Sequence, residues 1–241
     1  MPGARHTRFP WLLIATCVIT SLGAQTADVP RSMTDVIARL APSPRAATHK
    51  AEKSVPAVIW LNPLRPGVKP FTTHGNFTLL QKDKMFTPHL LVVPVGSSVA
   101  FPNADPFFHN VFSLFDGRRF DLGLYEAGST RSVVFSREGV SYIFCNIHSE
   151  MSAVVIALAT PYYGIADPHG VFRLSGVPSG DYELHVWIEG QRQSAPDRLT
   201  RRVHVAGEAA DLGEISAGQP ESRQHLNKFG QPYEPESNPI Y

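Results

Sequence analysis

One cysteine heads the run Cys145-Asn146-Ile147-His148-Ser149-Glu150-Met151. A thiolate, an imidazole and a thioether at three-residue spacing are three of the four side chains of a trigonal His₂Cys metal site with a weak axial methionine. The fourth must be a second histidine from elsewhere, and His109, in Asp105-Pro106-Phe107-Phe108-His109-Asn110-Val111, is the candidate. Soft sulfur combined with imidazole selects copper, and this donor set is the one that passes single electrons. The thiolate carries the electron's route, two imidazoles suit both oxidation states, and a distant thioether tunes the potential without demanding a fixed geometry. Zinc fits less well, because it rarely takes methionine and prefers several thiolates or a carboxylate. Singly, each residue has a plainer reading: Cys145 as a small buried hydrophobe, Met151 as core, His109 as a turn residue. Their joint spacing carries the metal assignment. The remaining histidines beyond residue 24 (His49, His74, His89, His169, His185, His204, His225) show no ligand spacing and read as surface or packing residues.

Such a site needs strands to position it. A cysteine at the end of one strand, with His and Met on the short loop that follows, can turn all three toward one point. Val140 to Phe144 reads as the strand before the loop and Ala153 to Leu158 as the strand after it. Upstream lie the apolar runs Val58 to Leu61, Phe77 to Leu80, His89 to Pro94, Ser98 to Asn103, Val111 to Leu114 and Arg131 to Phe135. Short strands rich in Val, Ile and Phe, separated by Gly, Pro and Asn, argue for an all-β sandwich. Past Thr160-Pro161 the pattern changes. Turns at Asp167-Pro168-His169-Gly170 and Val177-Pro178-Ser179-Gly180 bracket one strand. Tyr182, Leu184, Val186 and Ile188 then alternate with Glu183, His185, Trp187 and Glu189, the period of a sheet strand. Arg201 to Val205 adds another.

A length of 241 residues allows one large or two small domains. The net charge of +1 gives no sign of a nucleic-acid or acidic-lipid partner. Arg5 and Arg8 precede an apolar stretch from Trp11 to about Leu22 that exits through Gly23-Ala24-Gln25. A basic start, a short apolar run and a small-residue exit predict a secretory signal over residues 1–24. The apolar run falls short of the roughly 20 residues of a membrane span, so no span is expected in the mature protein. Lipidation of Cys17 would require a small residue before it, and Thr16 is a poor fit. With the signal removed, Cys145 has no disulfide partner, a liability in an oxidising compartment unless the thiol is buried or metal-bound.

Residues 25–52 are rich in Ala, Pro, Ser and Arg and read as a linker. Met33, Val36, Ile37 and Leu40 fall at helical spacing, so a short amphipathic helix is expected there, ended by Pro42 and Pro44. The strand within residues 53–63 has two open memberships, as an edge of the metal-bearing domain or as a strand of the following one. After Ala217, residues 218–241 read as a polar, proline-rich tail, extended or disordered.

The segment 75–159 resembles a cupredoxin, a Greek-key β-sandwich. The resemblance rests on Phe86-Thr87-Pro88-His89-Leu90 with Val93-Pro94-Val95-Gly96, on Phe101-Pro102-Asn103-Ala104-Asp105 leading to His109-Asn110-Val111, and on the C-x-x-H-x-x-M loop, which is similar to that of amicyanin. It implies one type 1 copper ion held by His109, Cys145, His148 and Met151. It also implies that Asn110 ties the two ligand loops together by hydrogen bonds, and that Asn146 lies beside the thiolate where the family more often has Ser or Thr. Glu150 stands where Pro or an aromatic residue is usual. Residues 160–217 resemble a small transthyretin-like, carboxypeptidase-regulatory-like β-sandwich, on Ala166 to Leu174, Val177 to Tyr182 and Leu184 to Trp187. Together the two resemble exported bacterial proteins labelled methylamine-utilisation proteins.

The expected function is that of an exported, periplasmic single-electron carrier. Its partners would be redox proteins, a dehydrogenase or a cytochrome, docking weakly near His148 over a collar of Pro106, Phe107, Phe108 and Ile147. An enzyme reading finds no support: Cys145 is flanked by Phe144 and Asn146, and no His-x-His pair occurs to couple a catalytic copper. Copper delivery, or a cell-surface scaffold, is the alternative.

Overall fold

Ser152–Leu158 is apolar at almost every position, and all but its first residue are buried. An ordinary sandwich strand buries one face only, so both faces of this one must be covered. The structure, a computed structural model, shows what covers them. It describes residues 3, 32–41, 55–65, 74–114, 117–191, 200–216 and 226–233. The strands, all within the unit Arg31–Tyr241, are β1 (Met33–Leu40), β2 (Ala57–Pro63), β3 (Asn76–Thr78), β4 (Leu80–Lys82), β5 (Met85–Thr87), β6 (Leu90–Pro94), β7 (Ser98–Pro102), β8 (His109–Ser113) and β9 (Phe120–Tyr125). They continue as β10 (Thr130–Val134), β11 (Gly139–Phe144), β12 (Ser152–Leu158), β13 (Tyr163–Ile165), β14 (Val171–Pro178), β15 (Gly180–Ile188), β16 (Thr200–Val205) and β17 (Ala209–Ile215). The described residues are all-β, and none of them forms a helix long and apolar enough to cross a membrane.

Four sheets stack as two sandwiches. In the first, β10-β7-β3 faces β6-β12-β11-β8-β9 across a core that includes Val99, Phe101, Val111, Phe135, Ile143 and Val155. In the second, β14-β1-β17 faces β13-β2-β15-β16 across Val36, Ile59, Leu61, Phe172, Leu184 and Val186. The alternate residues of β12 resolve its continuous apolarity. Ala153, Val155 and Ala157 point into the first core. Val154, Ile156 and Leu158 pack with Val58 and Trp187 of the second sandwich. Trp187 also donates its indole N–H to the Tyr142 hydroxyl at 3.1 Å, and the His89 ring meets the Glu189 carboxylate at 2.5 Å. The β2 strand pairs with β13 and β15, so the first sandwich is inserted in the chain between two strands of the second.

Two expectations are corrected. The stretch Met33–Leu40 is strand β1 and not a short helix. It lies between β14, antiparallel, and β17, parallel, and buries Thr34, Val36 and Ala38 at period two. Its backbone groups are taken by ladders on both sides, which a helix of that length could not match. The tail is likewise not extended throughout, since residues 226–233 pack against the first sandwich through Lys228 and Tyr233. The expected signal, residues 1–24, lies outside the described residues except for Gly3.

Candidate metal centre

Cys145 directly follows β11, whose last residue, Phe144, pairs with Ser152 on β12 and Phe112 on β8. The loop 145–151 therefore opens beside the start of β8, where His109 is the first residue. Its two ends are pinned together: the Cys145 N–H donates to the Met151 carbonyl at 3.2 Å, and the Met151 N–H to the His148 carbonyl at 3.1 Å. The Cys145 Sγ stands 3.8 Å from His109 Nδ1 and 3.6 Å from His148 Nδ1. All three donor atoms lie within 4.8 Å of one another, the only such group of His, Cys, Asp or Glu found among the described residues. His109, Cys145 and Met151 are fully buried, and His148 retains 7 % of its surface. Met151 packs in the same core cluster as Cys145. Phe107 lies against both rings, 5.2 Å from His109 and 5.5 Å from His148 between centroids.

The electrostatics prepare these groups to bind a cation. The Nε2 of His109 hydrogen-bonds Asp105 Oδ2 at 2.8 Å. Burial pulls the His109 pKa down, and Asp105 only partly offsets it, which favours the neutral ring. A neutral ring that donates from Nε2 to a carboxylate leaves the Nδ1 lone pair directed at Cys145, the tautomer a metal needs. Burial opposes ionisation of Asp105, but the His109 ring and the N–H groups of Lys84 and Asp83 outweigh it and hold this carboxyl below the usual range. Those N–H groups lie 3.0 and 2.7 Å away. They belong to the two-residue turn joining β4 to β5, where Asp83 and Lys84 both adopt positive φ, 55° and 54°. Burial pushes the Cys145 thiol up, against backbone N–H groups of Asn110, Ile147 and His148 that favour the thiolate. A bound cation would supply the charge that completes deprotonation. Two imidazole nitrogens, a thiol that can ionise on binding and a buried thioether form a donor set that fits a soft-to-borderline metal ion.

No protein-family model matches the chain, and no curated protein sequence does. Among solved structures, the chain is similar to a novel purple cupredoxin from Nitrosopumilus maritimus, with 23 % identity over 34 % of this chain and 99 % of that one, at a TM-score of 0.31. A copper-containing nitrite reductase from Thermus scotoductus is 22 % identical over 41 % of this chain and 26 % of its own, at 0.35. A mutant of amicyanin in its Cu(I) form is 18 % identical over 42 % of this chain and 98 % of its own, at 0.33. Each covers less than half of this chain.

The residues expected at the site take distinct places. His109, Cys145 and His148 converge. Asn110 reaches the cysteine loop through its backbone N–H, which hydrogen-bonds Cys145, while its side-chain amide donates to Asp121 on β9 at 2.7 Å. Asn146 Oδ1 accepts the backbone N–H of Lys228 at 3.0 Å. In the expected collar, Phe108 is 52 % and Ile147 37 % exposed, while Phe107 is half-buried against the histidines. Sequence reasoning missed three residues. Asp105 stood in a motif without a role, although its place four residues before His109 was the available signal. Lys228 and Tyr233 fell in the tail. There Asn227 and Gly230 mark a turn, in which the Asn227 side chain accepts from Phe229 and Gln231 at 2.9 and 3.0 Å.

Proposed function

We propose that this chain is an exported copper protein with one type 1 centre held by His109, Cys145, His148 and Met151, and that it carries single electrons between periplasmic redox partners. The observation that supports this most is the buried convergence of Cys145 Sγ with two imidazole Nδ1 atoms, with Asp105 setting the tautomer of His109. When bound, the ion supplies a one-electron couple whose potential depends on the axial ligand and on hydrogen bonding around the thiolate. The protein's part is to hold the donors still. His109 is fixed by Asp105 and the β8 ladder, Cys145 and Met151 by the pinned loop, and His148 by the loop and Phe107. Such a pocket changes little between oxidation states and excludes water. The edge of His148, against Phe107 and next to exposed Ile147, is the point of entry for the electron and of weak docking by a dehydrogenase or cytochrome. The absence of a histidine beside Cys145 favours a carrier over an oxidase or reductase acting alone.

Addition of Cu(II) to the purified protein should produce an intense visible thiolate-to-copper band, with one ion per chain by elemental analysis. Cys145→Ser should abolish the band. Met151→Leu should keep the colour and shift the reduction potential measured by voltammetry. Copper uptake without the band would favour the delivery or scaffold reading, and a Cys145→Ser protein that stays coloured would overturn the ligand assignment.

A further inference from the structure

The C-terminal segment 226–233 bonds the cysteine loop directly, at Cys145 and Asn146, and reaches the His109 segment through Asp121 of β9. The Tyr233 hydroxyl donates to the carbonyl of Cys145 at 2.7 Å. The Lys228 N–H donates to Asn146 Oδ1 at 3.0 Å. The Lys228 ammonium reaches Asp121 Oδ2 at 2.8 Å, and Asp121 Oδ1 accepts from the side chain of Asn110, next to His109. The segment also holds itself in a turn: the Asn227 N–H donates to the Gln231 carbonyl and the Gly230 N–H to the Asn227 carbonyl, both at 2.9 Å. Lys228 and Tyr233 are part-buried at these contacts, while Phe229 points outward at 71 % exposure.

The structure assigns this segment as a retaining strap for the metal centre, with Lys228 and Tyr233 as positioning residues. It joins the cysteine loop to the β8–β9 hairpin through Asn146-Lys228-Asp121-Asn110, a connection that the Asn110 side chain does not make by itself. A ligand loop held at Cys145 and Asn146 from outside the sandwich opens less often. Metal leaves such a site more slowly, and partners that orient ligands are commonly worth about 10- to 100-fold in metal affinity. The strap rests on the copper reading above for its metal-bound readout and on the metal-free protein for a second one.

The test compares the full chain with Tyr233→Phe, Lys228→Ala, Lys228→Arg and a chain ending at Ala217. Copper-loaded proteins are mixed with excess EDTA, and loss of the visible band is followed. Metal-free proteins are compared by hydrogen exchange at the amides of residues 145–151. Release is expected to be about tenfold faster or more in Lys228→Ala and in the shortened chain, and several-fold faster in Tyr233→Phe, which loses one hydroxyl without disturbing packing. Lys228→Arg should restore slow release. Loop amides should exchange faster in the same variants, and the band position and copper hyperfine coupling should shift in Tyr233→Phe. Release, exchange and spectrum all at full-chain values in Tyr233→Phe and Lys228→Ala would overturn the strap. If the full chain takes up no copper, the copper reading fails, and hydrogen exchange alone still decides the strap.

Discussion

Asp105 is a single carboxylate accepting from the turn amides of Asp83 and Lys84 and holding the ring of His109. It therefore couples the β4–β5 turn, with two non-glycine residues at positive φ, to the tautomer of His109. Asp105→Asn keeps the volume and removes the charge. With less negative charge behind the imidazole, the oxidised ion is less favoured, so the reduction potential should rise and Cu(II) affinity fall by about 10- to 100-fold. Voltammetry and competition titration check both. Asp105→Ala also strands the buried Nε2–H of His109 and should cost about 1–3 kcal/mol of stability by denaturant unfolding. The spacing of Cys145, His148 and Met151 was legible because a strand followed by a short loop is local geometry. Asp105 was not, because it lies on the irregular segment between β7 and β8, where no periodicity tells which way a side chain turns.

The strand β1 shows how an element can be misread when two periods coincide. Met33, Val36, Ile37 and Leu40 make a helical stripe, whereas the residues that are buried are Thr34, Val36 and Ala38. The inward face of the strand is thus one threonine, one valine and one alanine. Its threonine is accommodated because the hydroxyl donates to the Gly207 carbonyl at 2.6 Å. Nothing local marks a polar residue as inward-facing; its partner comes from 173 positions later. The two readings predict different mutants. Val36→Ala should cost about 1–3 kcal/mol, as a buried truncation. Met33→Ala, on the same helical stripe but 64 % exposed, should stay within about 0.5 kcal/mol. Equal losses at the two positions would contradict the strand register. The uninterrupted apolarity of β12, by contrast, was legible as a strand, while the identity of what covers its second face was not.

At the scale of the molecule, the two sandwiches meet through Val58, Val154, Ile156, Leu158 and Trp187, with the His89–Glu189 pair at the edge. The hydrogen bond that the His89 ring donates to Glu189 raises the His89 pKa despite partial burial. A histidine whose folded pKa exceeds its unfolded one contributes fully below the unfolded value, near pH 6.5, and loses that contribution as pH rises through the folded value. Both side chains are partly exposed, so the effect is small, within about 1 kcal/mol. Thermal melts should show the native protein gaining on Glu189→Gln as pH falls from about 9 to about 5.5, and parallel pH profiles would refute the coupling. Trp187→Ala, which empties the centre of the contact, should cost about 3–5 kcal/mol at any pH. The inserted arrangement also has a consequence in time. The Thr160 hydroxyl donates to the Leu61 carbonyl across 99 positions, and closing a flexible loop of that length costs about 4 kcal/mol in chain entropy. A first sandwich that has already folded has its two ends side by side and makes that closure in advance. The chain should therefore assemble from its middle outward. In pulsed hydrogen exchange during refolding, protection should appear over residues 90–158 before it appears over 57–63, which leaves the outermost strands of the sequence as the last to find their places.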